Sequence, residues 1–376
     1  MKISFFHRAI LPLFAVVWLV ASGTFAAAAS PELLKAKKEA EAKGYTFFTS
    51  HDEIVAEAKK EGSLRVLAEM EPPTMRASAQ AFMKKYPFIN LQIQEITGTD
   101  SAQRFILELK AGRAKDWDII NLSREFFTEY VPYISKTDLL GMAEHGVLAI
   151  PPKMVDPKNR NIAAFSTRFQ VTAYNKKTVS AAQVPKTWED ILKPEFKGRK
   201  FAADIRPTEI AALVPAWGLE KTLDFARKVA LQQPIWVRGG SRTLTSIAVG
   251  EIPMMIGPNF HTTKRAQQKD PTGSLQYTVL EPVPLKLALE LAIQVSPKHP
   301  NAAVLWLEWL ASHEAQKLLD EHEPLSSSVH VRGGVVEQEV RGKQLSVVSW
   351  AENQKMQSWQ RMVIEAYGFP KAEVAR

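Results

Sequence analysis

Arg238 and Arg242 flank a Gly-Gly-Ser turn in the stretch WVRGGSRTLTSIAVGE, residues 236–251, just ahead of an apolar-periodic run. A helix starting there offers unpaired backbone N–H groups and the positive end of its dipole beside two guanidiniums, a setting that favours an anion. Gly239 and Gly240 leave the backbone bare enough for close approach. A glycine turn with solvated arginines is the plainer account, and the surrounding sequence has to discriminate.

No residue set for catalysis accompanies this stretch. The chain has no G-x-G-x-x-G after a strand, no phosphate-loop lysine motif, no G-x-S-x-G and no H-E-x-x-H. His313-Glu314 and His322-Glu323 resemble metal spacing, but nine residues on a helix is about 2.5 turns, so the histidines face opposite sides. His145, His299 and His330 adjoin Gly, Pro or Ser and are expected in surface turns. Cysteine is absent, which excludes disulfides, thiolate nucleophiles, iron–sulfur clusters and thiolate zinc sites. No enzyme, cofactor or metal site is expected.

The elements that would position a binding site are clearer. LRVLAEM (64–70), INLQIQEI (89–96) and WDIINL (117–122) read as strands, separated by the helical stretches 74–86 and 101–113. After Thr172 the same alternation resumes: VTAYNKK and KFAADI as strands, a helix capped by Thr187, a helix over 208–218, and IPMMIGP as a strand. LEPVPLKLALELAIQ (280–294) then returns as a strand, followed by one long amphipathic helix over 301–322. Strands alternating with helices of this length imply a mostly parallel sheet, and ligands of such sheets sit beyond the carboxyl ends of strands. That rule selects Glu69 and Glu71, Thr97 and Thr99, Ser123, Arg206, and Asn259 with His261; the opening turn adds Ser241 and Arg242, and Arg168 lies between the two blocks. Thr99 and Ser123 also suit ordinary helix capping. Glu69 and Glu71 opposite a basic wall would suit an amine on the solute, unless they pair with Arg65 or Arg76.

The first residues are of another kind. Lys2 and Arg8 precede the apolar run ILPLFAVVWLV, and TFAAAAS supplies small residues for cleavage between Ala26 and Ala29, the pattern of an export signal. A chain of 376 residues retains 347 after Ala29, more than one compact core usually holds, so two lobes are expected. The formal charge of +8 falls to +6 without Lys2 and Arg8, with no run of five basic residues, so nucleic acid is not an expected partner. An exported, unanchored chain is expected in a bacterial periplasm. Residues 31–44 form a charged helix ended by Gly44, and Ser50 with Glu53 forms a capping box for a second helix stopped at Gly62.

Seven segments in register carry a family resemblance: AKKEGSLRVL, AFMKKYPFINLQI, ILELKAGRAKDWDIINLS, TAYNKKTV, VPKTWEDILKPEFKGRKFAADIRPTE, RGGSRTLTSIAVGE and HPNAAVLWLEWLASHEAQ. Across roughly residues 52–330 the chain resembles the extracellular solute-binding proteins of ABC importers, most closely their ferric-iron-type branch. The resemblance implies an α/β fold of periplasmic-binding type II, a Venus flytrap with mostly parallel sheets flanked by helices and two hinge-crossing strands. With the signal at 1–29 and an N-terminal helical extension at 30–60 read from the residues themselves, it implies a first lobe from 61–168 and 282–330. It further implies a second lobe at 169–281; the tail at 331–376, which resembles the family little, is expected as a helical segment packing on that lobe. It also implies a monomer that holds a small solute between the lobes and delivers it unchanged to a cognate inner-membrane permease. A sensor input protein is the alternative use of the same fold.

One departure bears on the solute. Iron-binding members carry adjacent tyrosines in the loop that IGPNFHTTKRA matches, whereas this chain has Asn259-Phe260-His261. An anionic organic solute (an organic acid, phosphonate or sugar phosphate) is therefore expected in place of ferric ion, with ferric transport as the alternative.

Overall fold

A computed structural model describes residues 29–123, 126–322 and 327–369. The signal at 1–29 lies outside them except for Ala29. Ten strands form one continuous sheet: β1 Ser63–Ala68, β2 Asn90–Glu95, β3 Ile119–Asn121, β4 Ile162–Asn175, β5 Ala202–Asp204, β6 Ile235–Val237, β7 Met254–Asn259, β8 Leu275–Thr278, β9 Val283–Ile293 and β10 Leu345–Val348. The order is β2-β1-β3-β9-β4-β7-β5-β6, with β10 beside β9 and β8 beside β4.

Two long strands make this one sheet serve two lobes. The first half of β4 runs antiparallel to β9, from Ile162 opposite Ala292 to Phe169 opposite Leu285. Its second half turns to β7 and β8, with a register shift between Gln170 and Thr172. On the first-lobe side β1 is parallel to β2 and β3; on the second, β5 is parallel to β6 and β7. Each parallel pair is joined through a helix, as parallel connections require.

The first-lobe core gathers Leu64, Val66, Phe82, Trp306 and Trp309. Trp306 stacks on Trp309 at 5.1 Å and meets Phe82 edge-on at 5.1 Å. Helix Pro300–Leu310 is buried on all sides from Ala302 onward, so it needs polar anchors rather than a wet face. Glu61 supplies one by accepting from the N–H groups of Asn301 and Ala302 at its start, and Glu308 accepts from Ala149 N at 2.8 Å. The N-terminal helix Pro31–Ala42 rests on this core through Leu33, Ala36 and Ala40. The second-lobe core holds Trp188, Phe201, Phe225, Trp359 and Tyr367, the last two from the C-terminal segment.

The structure refines several expectations. Helix His51–Glu61 does end at Gly62 in the left-handed region, but the Ser50 side chain makes no cap bond. The long helix over 301–322 is broken into Pro300–Leu310 and His313–His322. At the break Gln316 Nε2 donates to Leu310 O at 2.8 Å and to Phe165 O of β4 at 3.0 Å, so a side chain satisfies a carbonyl, that of Leu310, which a continuous helix would have used. Residues 208–218 likewise form two short helices, Thr208–Ala211 and Val214–Trp217, because Pro215 has no N–H to extend the first. Thr187 leads only into a 3-10 turn, Glu189–Leu192. The C-terminal segment contains a strand, β10, as well as helices. His299 is not a loose surface residue: its Nδ1 lies 2.9 Å from the buried Asp118 carboxylate. His330 is half-buried, and burial lowers its pKa.

Candidate functional site

Helix starts converge where the parallel strands end. Helices beginning at Pro72, Thr99, Thr208, Gly240 and Phe260 follow β1, β2, β5, β6 and β7 with at most three residues between. Their first-turn N–H groups have no carbonyl partner inside the helix. Three adjoining cavities run along this edge. One of about 220 Å³ is lined by Glu69, Thr99, Ser123 and Arg168. The next, about 280 Å³, shares Glu69 and Arg168 and adds Glu71, Thr97, Ser241, His261 and Arg265. The third, about 860 Å³, shares Ser241 and is walled by Arg206, Arg238, Arg242, Asn259, Lys286 and Gln360. Each of the eleven residues selected from the sequence lines at least one of these cavities. They are spread over three chambers, not gathered into one shell.

Asp204 organises the largest chamber. Its Oδ2 accepts from Gly239 N at 2.8 Å and its Oδ1 from Arg206 N at 2.9 Å, so one carboxylate fixes the loops after β5 and β6. Gly239 has φ 90°, a conformation that favours glycine, and a Cβ there would meet Arg206 Nη2 at 3.4 Å. Gly240 packs toward Pro258, so its role is close packing of the helix start against β7. Arg206 retains a 3.6 Å approach to Asp204. Among the described residues, Arg238 and Arg242 have no carboxylate within ion-pair distance.

The acidic residues of the facing wall are already engaged. Glu69 pairs with Arg168 at 3.4 Å and Glu71 with Arg265 at 2.9 Å; Arg65 instead approaches Asp116 at 3.7 Å. Neither partner is the Arg65 or Arg76 considered from the sequence, and both are arginines of the cleft itself. His261 sits among Arg168, Arg265 and Lys286; burial and these three cations hold its pKa down at about 4, so the ring is neutral at pH 7. Glu209, 2% exposed, lines the largest chamber, and burial pushes its carboxyl well above the usual range.

Among the described residues, the groups a ferric ion needs are not assembled. Phe260 is buried and stacks on Phe169 at 4.4 Å, so this position faces the core. Tyr130, beside the first chamber, is held protonated, its pKa pushed up to about 12 by burial. Among the described residues no three His, Asp or Glu side chains group as metal ligands.

Sequence reasoning missed Lys286, Arg265 and Gln360. Lys286 lies within a crossing strand, Arg265 more than a turn into its helix, and Gln360 on the C-terminal helix Met356–Ala366. A rule that selects strand ends reaches none of them; only the mixed polarity of VPLKLALE within a buried strand hinted at Lys286.

Comparison with known proteins gives a consistent picture. Residues 125–355 match the sequence profile described as bacterial extracellular solute-binding protein. The Fe(3+)-binding periplasmic protein of Serratia marcescens is 22% identical over 205 residues, 52% of this chain and 60% of that protein. The chain thus matches about three fifths of that relative's length. The apo ferric ion-binding protein A of Pasteurella haemolytica superposes with a TM-score of 0.61 at 17% identity, covering 83% of this chain and 100% of that one. A Trichodesmium protein solved with iron and citrate ligands gives 0.61 at 17%, covering 81% and 99%. Identities this low establish a common fold and leave the ligand to the residues of each cleft.

Proposed function

The chain belongs to the bacterial extracellular solute-binding proteins, and from that premise we propose that it captures a small organic anion between its lobes and passes it to a cognate ABC permease. Its fold is the two-lobed type II form of the periplasmic binding proteins, and family and fold are those of transport receptors, not enzymes. The periplasm is the compartment named for the Serratia relative. The reading includes the division into lobes at 61–168 with 282–330 and at 169–281.

The anion reading rests on one observation: Arg206, Arg238, Arg242 and Lys286 surround the start of helix Gly240–Ala248 in the largest chamber. A fixed helix start and the guanidiniums of Arg238 and Arg242, which have no carboxylate within ion-pair distance among the described residues, bind oxyanions through charge-assisted hydrogen bonds of about 1.5–3 kcal/mol each. Replacing Arg242 by Ala should therefore weaken binding about 10–100-fold and leave the ligand-free Tm unchanged. Unaltered affinity for every anion that binds the parent would falsify the reading.

A second reading deserves a test because the Serratia and Pasteurella relatives are named for ferric iron and the Trichodesmium structure holds iron with citrate. A ferric chelate is an anion whose ligands come from the chelator, and such cargo would suit an arginine wall without tyrosines. Titration with ferric citrate against citrate alone separates the two: equal thermal shifts support the plain anion, and a stoichiometric coloured complex supports iron.

A further inference from the structure

The chamber that holds the cations does not end at Lys286. A neighbouring cavity of about 490 Å³ shares Thr208, Lys286 and Gln360 with it and continues toward the C-terminal segment. Among the described residues, the polar lining of this extension beyond Lys286 is uncharged: Thr128, Thr208, Asn353, Gln354, Gln357 and Gln360. Hydroxyls and carboxamides each offer a donor and an acceptor, the complement of a solute's own hydroxyl groups. Part of this wall is held in place, since Gln360 Nε2 donates to Thr208 Oγ1 at 2.8 Å. Phe127 and Met356 add apolar faces against which a C–H surface can lie.

The walls come from three parts of the molecule. Thr128 belongs to helix Phe127–Tyr130, whose Phe127 and Tyr130 pack in the first lobe with Phe105 and Leu67. Lys286 is on the crossing strand β9. Gln357 and Gln360 stand on the helix that packs into the second-lobe core through Met356, Trp359 and Val363. Occupation of the extension therefore touches both lobes, whereas the chamber at Arg242 has no lining residue from helix Phe127–Tyr130.

We propose that this extension receives the neutral, hydroxyl-bearing body of the solute, whose anionic group lies at the Arg206–Arg242 wall. The substrate class is then an anionic group carried on a hydroxylated carbon chain or ring, larger than a simple oxyanion. This rests on the anion reading above and adds the second half of the ligand.

The test pairs solutes of like charge and size with and without hydroxyls: ribose 5-phosphate against butyl phosphate, and gluconate against hexanoate, with inorganic phosphate as the bare ion. Calorimetry gives affinity, and small-angle scattering gives compaction of the two lobes. At least one hydroxylated solute should bind tenfold or more tighter than its apolar partner and compact the protein, with no compaction by inorganic phosphate. Gln357→Leu should erase the preference while leaving phosphate binding intact; Gln357→Glu, on the same exposed position, should weaken every anion carrying a body. Arg242→Ala should weaken all of them alike. Equal affinity within both pairs, or a preference that survives both Gln357 substitutions, overturns the extension and leaves the anion reading standing. Absence of binding by all five anions overturns both.

Discussion

Arg265 Nη2 lies 2.9 Å from Glu71 Oε1, joining the helix after β7 to the loop after β1 across 194 positions of sequence. Both side chains are nearly half exposed, so the pair contributes at most ~1 kcal/mol to stability. Its larger effect is on charge, because Glu71 neutralises an arginine that lines the cavity adjoining the Arg242 chamber. Glu71→Gln should change the ligand-free Tm by no more than about 2 °C and tighten anion binding several-fold. Weaker binding in calorimetry would show that the pair orders the cleft instead of competing with the solute.

His261 makes acid stability predictable in sign. Its pKa of about 4 lies below the ordinary 6.5, so between those values the unfolded chain binds a proton that the folded chain does not. Stability is unaffected above pH 6.5, falls as the pH is lowered through 6.5 toward 4, and the ceiling on the loss is about 3 kcal/mol. His261→Gln should flatten the Tm profile across that window. A bound anion offsets Arg168, Arg265 and Lys286, so binding at pH 5.5 should take up protons, measurable as a buffer-dependent heat.

Glu209 has the opposite sign. Its raised pKa means that the folded state keeps a proton the unfolded state loses, so stability is lost as the pH rises above about 4.5. Glu209→Gln keeps the shape and removes the ionisation; it should match the parent at pH 4 and melt a few degrees higher at pH 7.5. A lower Tm at pH 7.5 would show that the carboxylate is ionised and paired.

Gly257 sits against the same side chain. Its φ is 75°, and a Cβ there would overlap Glu209 Cγ. Gly257→Ala should destabilise by about 2–4 kcal/mol through strain and overlap. Combining it with Glu209→Ala should recover only the overlap with Glu209 Cγ and Cδ, because Glu209 Cβ would itself lie 2.6 Å from the added Cβ, and differential scanning calorimetry can measure the difference.

How much was legible follows from where each signal lies. β1, β2 and β7 announce themselves by apolar runs bounded by turn residues, and the rule for parallel sheets then names their carboxyl ends. β6 and β8 have three and four residues and no period to read. The break at Ala311-Ser312 has no Pro or Gly; it exists because Gln316 and Phe165 meet in the folded core. Lys286 and Gln360 reach the cleft only through the crossing of β9 and the docking of the last helix, which are long-range events. Glu69 and Glu71 were visible, but their partners, Arg168 and Arg265, are separated from them by 99 and 194 positions.

Phe260 shows why position in a motif is not position in a site. It stacks on Phe169 at 4.4 Å and meets Tyr277 at 5.4 Å, so truncation to Ala should cost about 3–5 kcal/mol. The double substitution Phe260→Tyr, His261→Tyr should bury the first hydroxyl in that cluster and give no visible absorption with ferric citrate. A coloured complex would show that the loop can re-aim.

The helix Pro31–Ala42 is rooted in one core and the helix Met356–Ala366 in the other. The chain also lacks any thiol of its own. One cysteine placed at exposed Lys35 and another at exposed Lys355 would then be the sole attachment points for a pair of dyes, each riding on a different rigid half. Nature has left this receptor as an unlabelled ruler, on which the distance between two marks can be read as solute comes and goes.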